Sequence, residues 1–220
     1  VANYPKEQGT KTGWQSPLLA TVAATDPRLT EIKKQVGPGH LLPQDLLPDA
    51  RSVICYFLPY APEIGRSNQA ESYCSDEWAW AYVETNQLIN DLNRYLQEEL
   101  GKRGYTAAVT PATHNFDERT LISNWSHRHL AVLAGLGSIG LNQMLITDKG
   151  CCGRLGSLVT DLELNIQPAA ENPACLYYLD QSCRQCIIRC PTGALTESSF
   201  DRFKCYAHLL QNVDFHQPKG

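Results

Sequence analysis

Five cysteines fall within 31 residues, at Cys175, Cys183, Cys186, Cys190 and Cys205, and three of them form Cys183-x2-Cys186-x3-Cys190 with Pro191 directly behind. Thiols at that spacing share one tight turn, and a following proline lacks the N–H needed to wind the turn further. A turn of this kind wraps a thiophilic inorganic centre, and the x3-Cys-Pro ending is that of iron–sulfur ligation. Zinc is the competing chemistry, because Cys183, Cys186, Cys190 and Cys205 are enough thiolates to close a tetrahedral site. Cys55, Cys74, Cys151 and Cys152 lie outside the cluster, and Cys55, inside an apolar run, reads as a small buried hydrophobe.

A second constellation is the glycine-rich run Ala134-Gly-Leu-Gly-Ser-Ile-Gly-Leu-Asn142. Gly135, Gly137 and Gly140 formally spell Gly-x-Gly-x-x-Gly, a dinucleotide fingerprint that requires a phosphate-facing helix after it. Only Leu141–Thr147 separates Gly140 from the turn Asp148-Lys149-Gly150, and Met144–Thr147 reads as strand, so that helix has no room. What survives is close approach of the backbone to a packed neighbour or a large cofactor. A polar stretch from Ala112 to Arg128 holds His114, Asp117, Glu118 and His127, with His129 just after. Long loops carrying several titratable groups serve active sites, although such groups are also common on surfaces. Trp78, Trp80 and Tyr82 could wall a flat ligand, but core packing is the more frequent fate of such residues.

These groups need a scaffold. Arg51–Tyr60 is a continuous apolar run ended by Pro59 and predicts a strand buried on both faces, which in turn requires helices over the sheet. Asp76–Leu100 supplies one, with Leu88, Leu92, Leu96 and Leu100 on a single stripe. Arg28–Val36 predicts a short helix, with Asp26 as N-cap, Pro27 at the first turn and Gly37 at the stop. Tyr105–Thr110 predicts a further strand, and Met144–Leu164 a β-hairpin. Ser198–Leu210 predicts a helix capped by Ser198, and residues 1–25 an arm packed on the core. Pro168–Pro173 marks the boundary between a larger lobe, 1–168, and a small module, 169–220.

The composition is that of an ordinary globular protein, with 43% apolar residues, 19% charged residues and a formal net charge of −4. It gives no electrostatic reason for a nucleic-acid or membrane-surface partner, apart from what a local basic pocket could supply. No stretch approaches the roughly 20 apolar residues of a membrane span. The N-terminus lacks a signal-peptide layout, and the expected location is the cytoplasm, where clustered cysteines ligate metal rather than form disulfides.

Read from its right-hand end, Cys183-x2-Cys186-x3-Cys190-Pro-Thr-Gly-Ala-Leu195 resembles the ferredoxin-type run, with Asp180 where a first cysteine belongs and Cys175 as its stand-in. Leu47-Pro48-x-Ala50-Arg51-Ser-Val-Ile54, Ala134-Gly-Leu-Gly-x-x-Gly140-x-Asn142, Leu145-Ile146, Gly150, Leu155-Gly156 and Asp161-Leu162 precede it in that order. Together these pieces resemble the epoxyqueuosine reductase family of corrinoid-dependent reductases. The resemblance implies an α+β chain, with a nitroreductase- or cobalamin-trafficking-like sandwich lobe and a C-terminal ferredoxin-type 4Fe-4S module.

It further implies cobalamin beside Gly135, Gly137, Ser138, Gly140 and Asn142, and one or two clusters. Cys190 and Cys205 would serve one cluster, and Cys175, Cys183 and Cys186 the other. Two four-iron clusters need eight ligands, so either the natural chain continues beyond Gly220 or one cluster alone is completed. Where the family carries its proton-donating Asp, this chain has Thr110-Pro-Ala-Thr-His114, leaving His114 or Asp117 as substitutes. The expected activity is reduction of a small-molecule, tRNA or protein substrate, with electrons from a donor such as ferredoxin or flavodoxin. The alternative is an electron-transfer or redox-accessory protein that acts on a protein partner without corrinoid chemistry.

Overall fold

The structure, a computed structural model, describes residues 4, 8–69, 72–113, 115–166 and 174–219. At its centre is β2 (Ser52–Pro59), whose β-branched and aromatic side chains suit a strand covered on both faces. It pairs antiparallel with β1 (Leu18–Ala23) on one side and β8 (Gly153–Thr160) on the other; β3 (Ala107–Val109) joins β8, giving the order β1-β2-β8-β3. Leu18–Ala23, expected as part of an arm, is therefore an edge strand. Successive β2 side chains point to opposite faces. Val53 and Cys55 enter one core with Trp125, Leu130, Ala131 and Val159, while Tyr56 and Leu58 enter another with Leu88 and Ile89.

A helix covers each face. The helices in chain order are α1 (Arg28–Val36), α2 (Pro43–Leu46), α3 (Pro62–Ser67), α4 (Asp76–Lys102) and α5 (His127–Leu133). Ser75 caps α4 by accepting the Trp78 N–H at 3.1 Å, and the leucine stripe lays the helix over the Tyr56–Leu58 face. Helix α5 covers the opposite face through Leu130 and Ala131. The N-cap of α1 is Pro27 rather than Asp26, which sits one residue earlier and accepts the Arg28 N–H at 2.9 Å.

Three further expectations are corrected. The polar stretch after Ala112 is not one long loop, for it contains the hairpin β4 (Phe116–Asp117) with β5 (Ile122–Ser123) and the first turns of α5. Met144–Leu164 is not a hairpin. Instead β7 (Leu145–Ile146) folds back on β6 (Ser138–Ile139), and β8 pairs with β2 over eight residues, from Ser52↔Thr160 to Pro59↔Gly153. A long buried partner strand outweighs the local turn at Asp148–Gly150, which closes only the Thr147↔Gly150 bridge. The last long helix, α8, runs from Arg202 to His216 behind α6 (Leu176–Asp180) and α7 (Gln185–Ile188). Its cap is Asp201 rather than Ser198, since Asp201 accepts the N–H groups of Phe203 and Lys204, each at 3.1 Å. The Pro168–Pro173 boundary lies outside the described residues.

Candidate functional site

Cys183 and Cys190 lie in the turns on either side of α7, whereas Cys186 is inside α7 and Cys205 is in the first turns of α8. Cys175 precedes α6 and is buried, with the Leu141 N–H 3.5 Å from its sulfur. Gln181, in the left-handed region at φ +60°, reverses the chain toward Cys183. Arg184 pairs with Glu197 and lies over the Tyr177 ring, closing the module on itself. Asp180 holds the Ser182 N–H at 2.9 Å and so caps its own turn.

The thiols act on one another's ionisation in two groups. Burial pushes the Cys186 thiol up, and the neighbouring Cys175 and Cys183 push it further. Cys205 is raised by burial and by Cys190. Burial also opposes ionisation of Cys190, yet its thiol lies below the ordinary value because the Leu195, Thr192 and Ala194 N–H groups and the Thr192 hydroxyl stabilise its thiolate. Among the described residues no three His, Cys, Asp or Glu side chains converge on a point that a single metal ion could fill.

The glycine-rich run touches the chain at Ala174 and Cys175. Ser138 Oγ accepts the Ala174 N–H at 2.8 Å, beside the contact of Leu141 with Cys175. Gly135 takes φ +88° where α5 ends, with the Leu136 N–H returning to the Ala131 carbonyl at 2.9 Å. A Cβ on Gly137 would lie 2.1 Å from the Ile146 carbonyl oxygen, and one on Gly140 2.5 Å from the Ile146 side chain. Packing against β7 thus accounts for these two glycines. A helix precedes the run where the dinucleotide fingerprint requires a strand.

An open cleft of about 290 Å³ lies between β8, the β6–β7 hairpin and the start of α5. Its polar lining includes Asn115, His127, Arg128, Cys151 and Arg154. The Arg154 guanidinium stands 4.4 Å from the Tyr82 ring centroid, and its Nε is buried without a partner among the described residues. His127 Nε2 faces the Pro111 carbonyl at 3.1 Å and Nδ1 the Ser157 hydroxyl at 2.8 Å, which also receives the Trp125 indole N–H at 3.0 Å. A carbonyl only accepts, so the proton sits on Nε2, and Ser157 donates to Nδ1. Burial pushes His127 down to about 4. At the cleft wall, hydrogen bonds from Cys152 and from the Asn142 amide at 3.7 Å bring the Cys151 thiol down to about 6, while Cys152 is driven up and keeps its proton.

The sequence-predicted residues divide accordingly. Cys175 lies against Leu141 and Ser138 against Ala174, while the Asn142 amide turns away to Cys151. Asp117 lies in the β4–β5 turn, where its carboxylate accepts from the Arg119 and Thr120 N–H groups and the Thr120 hydroxyl, and these bonds hold it below the usual carboxylate range. At neutral pH such a group accepts protons rather than donating them. His114 lies outside the described residues. Trp78 packs edge-on against Tyr60, and Lys11 covers Trp80, so of the three aromatics only Tyr82 reaches the cleft, through Arg154. Sequence reasoning passed over Trp125, Arg128, Cys151 and Arg154; the adjacent cysteines at 151 and 152 were the one available signal.

No family model matches the chain. Curated epoxyqueuosine reductases are similar to it. The Bacillus cereus protein is 29% identical over 182 residues, which cover 79% of this chain and 43% of that protein. The Salmonella typhimurium protein is 29% identical over 181 residues, covering 81% and 44%, and that of Gloeobacter violaceus 31% over 175 residues, covering 77% and 49%. The chain thus spans about half the length of the curated relatives it matches. Among solved structures, epoxyqueuosine reductase from Streptococcus thermophilus superposes with a TM-score of 0.57 at 19% identity, over 95% of this chain and 56% of that one. An epoxyqueuosine reductase solved with a tRNA-Tyr epoxyqueuosine-modified stem loop gives 0.59 at 20% identity, over 90% and 54%. The resemblance read from the sequence holds, and these structures share the fold.

Proposed function

Given this similarity to epoxyqueuosine reductases, we propose that the chain is the reducing part of an iron–sulfur oxidoreductase, with 1–168 as the substrate and cofactor lobe and 169–220 as a ferredoxin-type electron supply. The observation that carries the reading is the spacing Cys183-x2-Cys186-x3-Cys190-Pro191, and the mutual influence of Cys175 and Cys183 on Cys186, and of Cys190 on Cys205, is consistent with it. N–H groups directed at the Cys190 sulfur fit a ligated thiolate, because hydrogen bonds to cluster sulfurs are a main control of reduction potential. These five residues would hold the clusters, and the contacts of Leu141 and Ser138 with residues 174–175 give the shortest link from module to cleft.

The resemblance also implies a corrinoid, and the cleft is where it would lie. The fit rests on the cleft's polar lining and the orphan Arg154 Nε, not on Gly137 and Gly140, which Ile146 fills. Bound there, such a group would supply a cobalt that takes electrons singly and passes them on. The chain's own part is to hold polar groups of the ligand with Arg128 and Arg154 and to keep His127 neutral within the wall. The proton that a reduction consumes is assigned to His114 in preference to Asp117. Asn115, next in sequence to His114, lines the cleft, whereas the Asp117 carboxylate is turned into its own hairpin.

The substrate class by this reading is a modified nucleoside carried on tRNA, bound through local cations despite the net negative charge. Anaerobic reconstitution with assays for iron, sulfide and cobalt tests the cofactors. Four or eight irons per chain with matching sulfide support the reading, and stoichiometric zinc without sulfide defeats it. Single-turnover reduction of an epoxyqueuosine-bearing stem loop tests the substrate. Loss of turnover in His114→Gln, with Asp117→Asn unaffected, tests the proton assignment. A protein that carries clusters and reduces a partner protein, but no nucleoside, would be the redox-accessory alternative.

A further inference from the structure

A second group of reactive side chains lies away from the cleft, where the end of α8 meets the start of α4. Cys74 Sγ is 3.2 Å from His216 Nε2, and His216 Nδ1 is 3.3 Å from the Asp76 carboxylate. The same Nε2 faces the Cys74 carbonyl oxygen at 2.9 Å. A carbonyl and a carboxylate can only accept, so both ring nitrogens are satisfied together when each carries a hydrogen. In that state Nε2–H is shared between the carbonyl and a Cys74 thiolate, and Nδ1–H is held by Asp76. We propose that Cys74, His216 and Asp76 form an activated-thiol site that exchanges with small disulfides.

The surroundings choose the chemistry. Acyl transfer needs N–H donors aimed at a developing oxyanion, and the Cys74 amide is already given to Asn212 Oδ1 at 2.7 Å. Thiol–disulfide exchange needs only a thiolate, a route in and a proton for the leaving group. Cys74 is partly exposed, and the His216 side chain is 14% exposed, so the pair can be reached while the imidazole stays shielded. The rings of Tyr73 and Phe215 stack at 4.9 Å beside it, and His208, two turns earlier on α8, holds the Ser72 carbonyl at 2.8 Å. Asp76 and His208 are thus the charged and titratable groups these contacts bring to the site. In the exchange, the Cys74 thiolate attacks one sulfur of the disulfide. The S–S bond breaks as the Cys74 mixed disulfide forms, and the departing thiolate takes the proton from His216.

The test treats the full chain at pH 6 with glutathione disulfide or 2,2′-dithiodipyridine and follows the Cys74 peptide by mass spectrometry. An ordinary thiol is under about 1% thiolate at that pH. Cys74 should therefore react about tenfold faster than a single-cysteine reference peptide of the same local sequence, after allowance for the lower nucleophilicity of a more acidic thiol. His216→Gln should bring the rate down to that of the reference, and Asp76→Asn should lower it several-fold. Asp76→Asn and the wild-type rate still decide the matter if His216→Gln does not fold. A wild-type rate equal to that of the reference, or one unmoved by both substitutions, overturns the proposal.

Discussion

Single side chains show most clearly what burial does to chemistry. Cys55 is fully buried on the central strand, and desolvation pushes its thiol up to about 12, so it is the inert hydrophobe that its apolar neighbours predict. His127 is the opposite case, a titratable group forced neutral. The unfolded chain protonates this imidazole near its ordinary value of 6.5, whereas the folded chain resists until about 4. Its contribution to stability is therefore intact above pH 6.5 and is lost as pH falls toward 4, at about 1.4 kcal/mol per pH unit. Urea titrations at pH 7 and pH 4.5 should show wild type losing about 2–3 kcal/mol more than His127→Gln. Equal losses would mean that the ring is already charged in the fold. Nothing in the local sequence Trp125-Ser-His127 announces this, because the burial comes from strands distant in the chain.

At the scale of elements, caps and close contacts decide where segments begin and how they lie. Ser198 and Asp201 are both plausible caps by residue type, yet only Asp201 accepts the first N–H groups of α8. Asp201→Ala should cost about 1 kcal/mol in chemical denaturation, and Ser198→Ala should stay within a few tenths of one. The β6–β7 hairpin makes a sharper demand. A Cβ on Gly137 would strike backbone at 2.1 Å with φ at +156°, whereas one on Gly140 meets the movable end of Ile146. Gly137→Ala should therefore destabilise by roughly 2–4 kcal/mol and Gly140→Ala by about half that, as read from unfolding midpoints. The same hairpin explains why the segment after Gly140 misled sequence reasoning. Short apolar runs carry no label for their partner, and β7 turned back to β6 while β8 went to β2.

Among the described residues, the apolar clusters around the sheet draw on residues up to Val159 and include none from 174 onward. Cys183→Ser should therefore bleach the visible absorption of reconstituted protein while moving the unfolding midpoint of the lobe by no more than a degree or two. A collapse of the lobe in that variant would show that cluster and sheet form one cooperative unit. The sequence by itself determined the central strand, the long amphipathic helix and the resemblance, because each is written in residue types at short, fixed spacing. Only the tertiary structure decided which thiols act on one another, that Ile146 fills the glycine run, that Arg154 faces a cleft with a spare donor, and that Cys74 reaches His216 across 142 positions. Those contacts depend on which faces the sheet and helices bury against one another. That choice is made by the packing of the whole chain, and no local spacing encodes it.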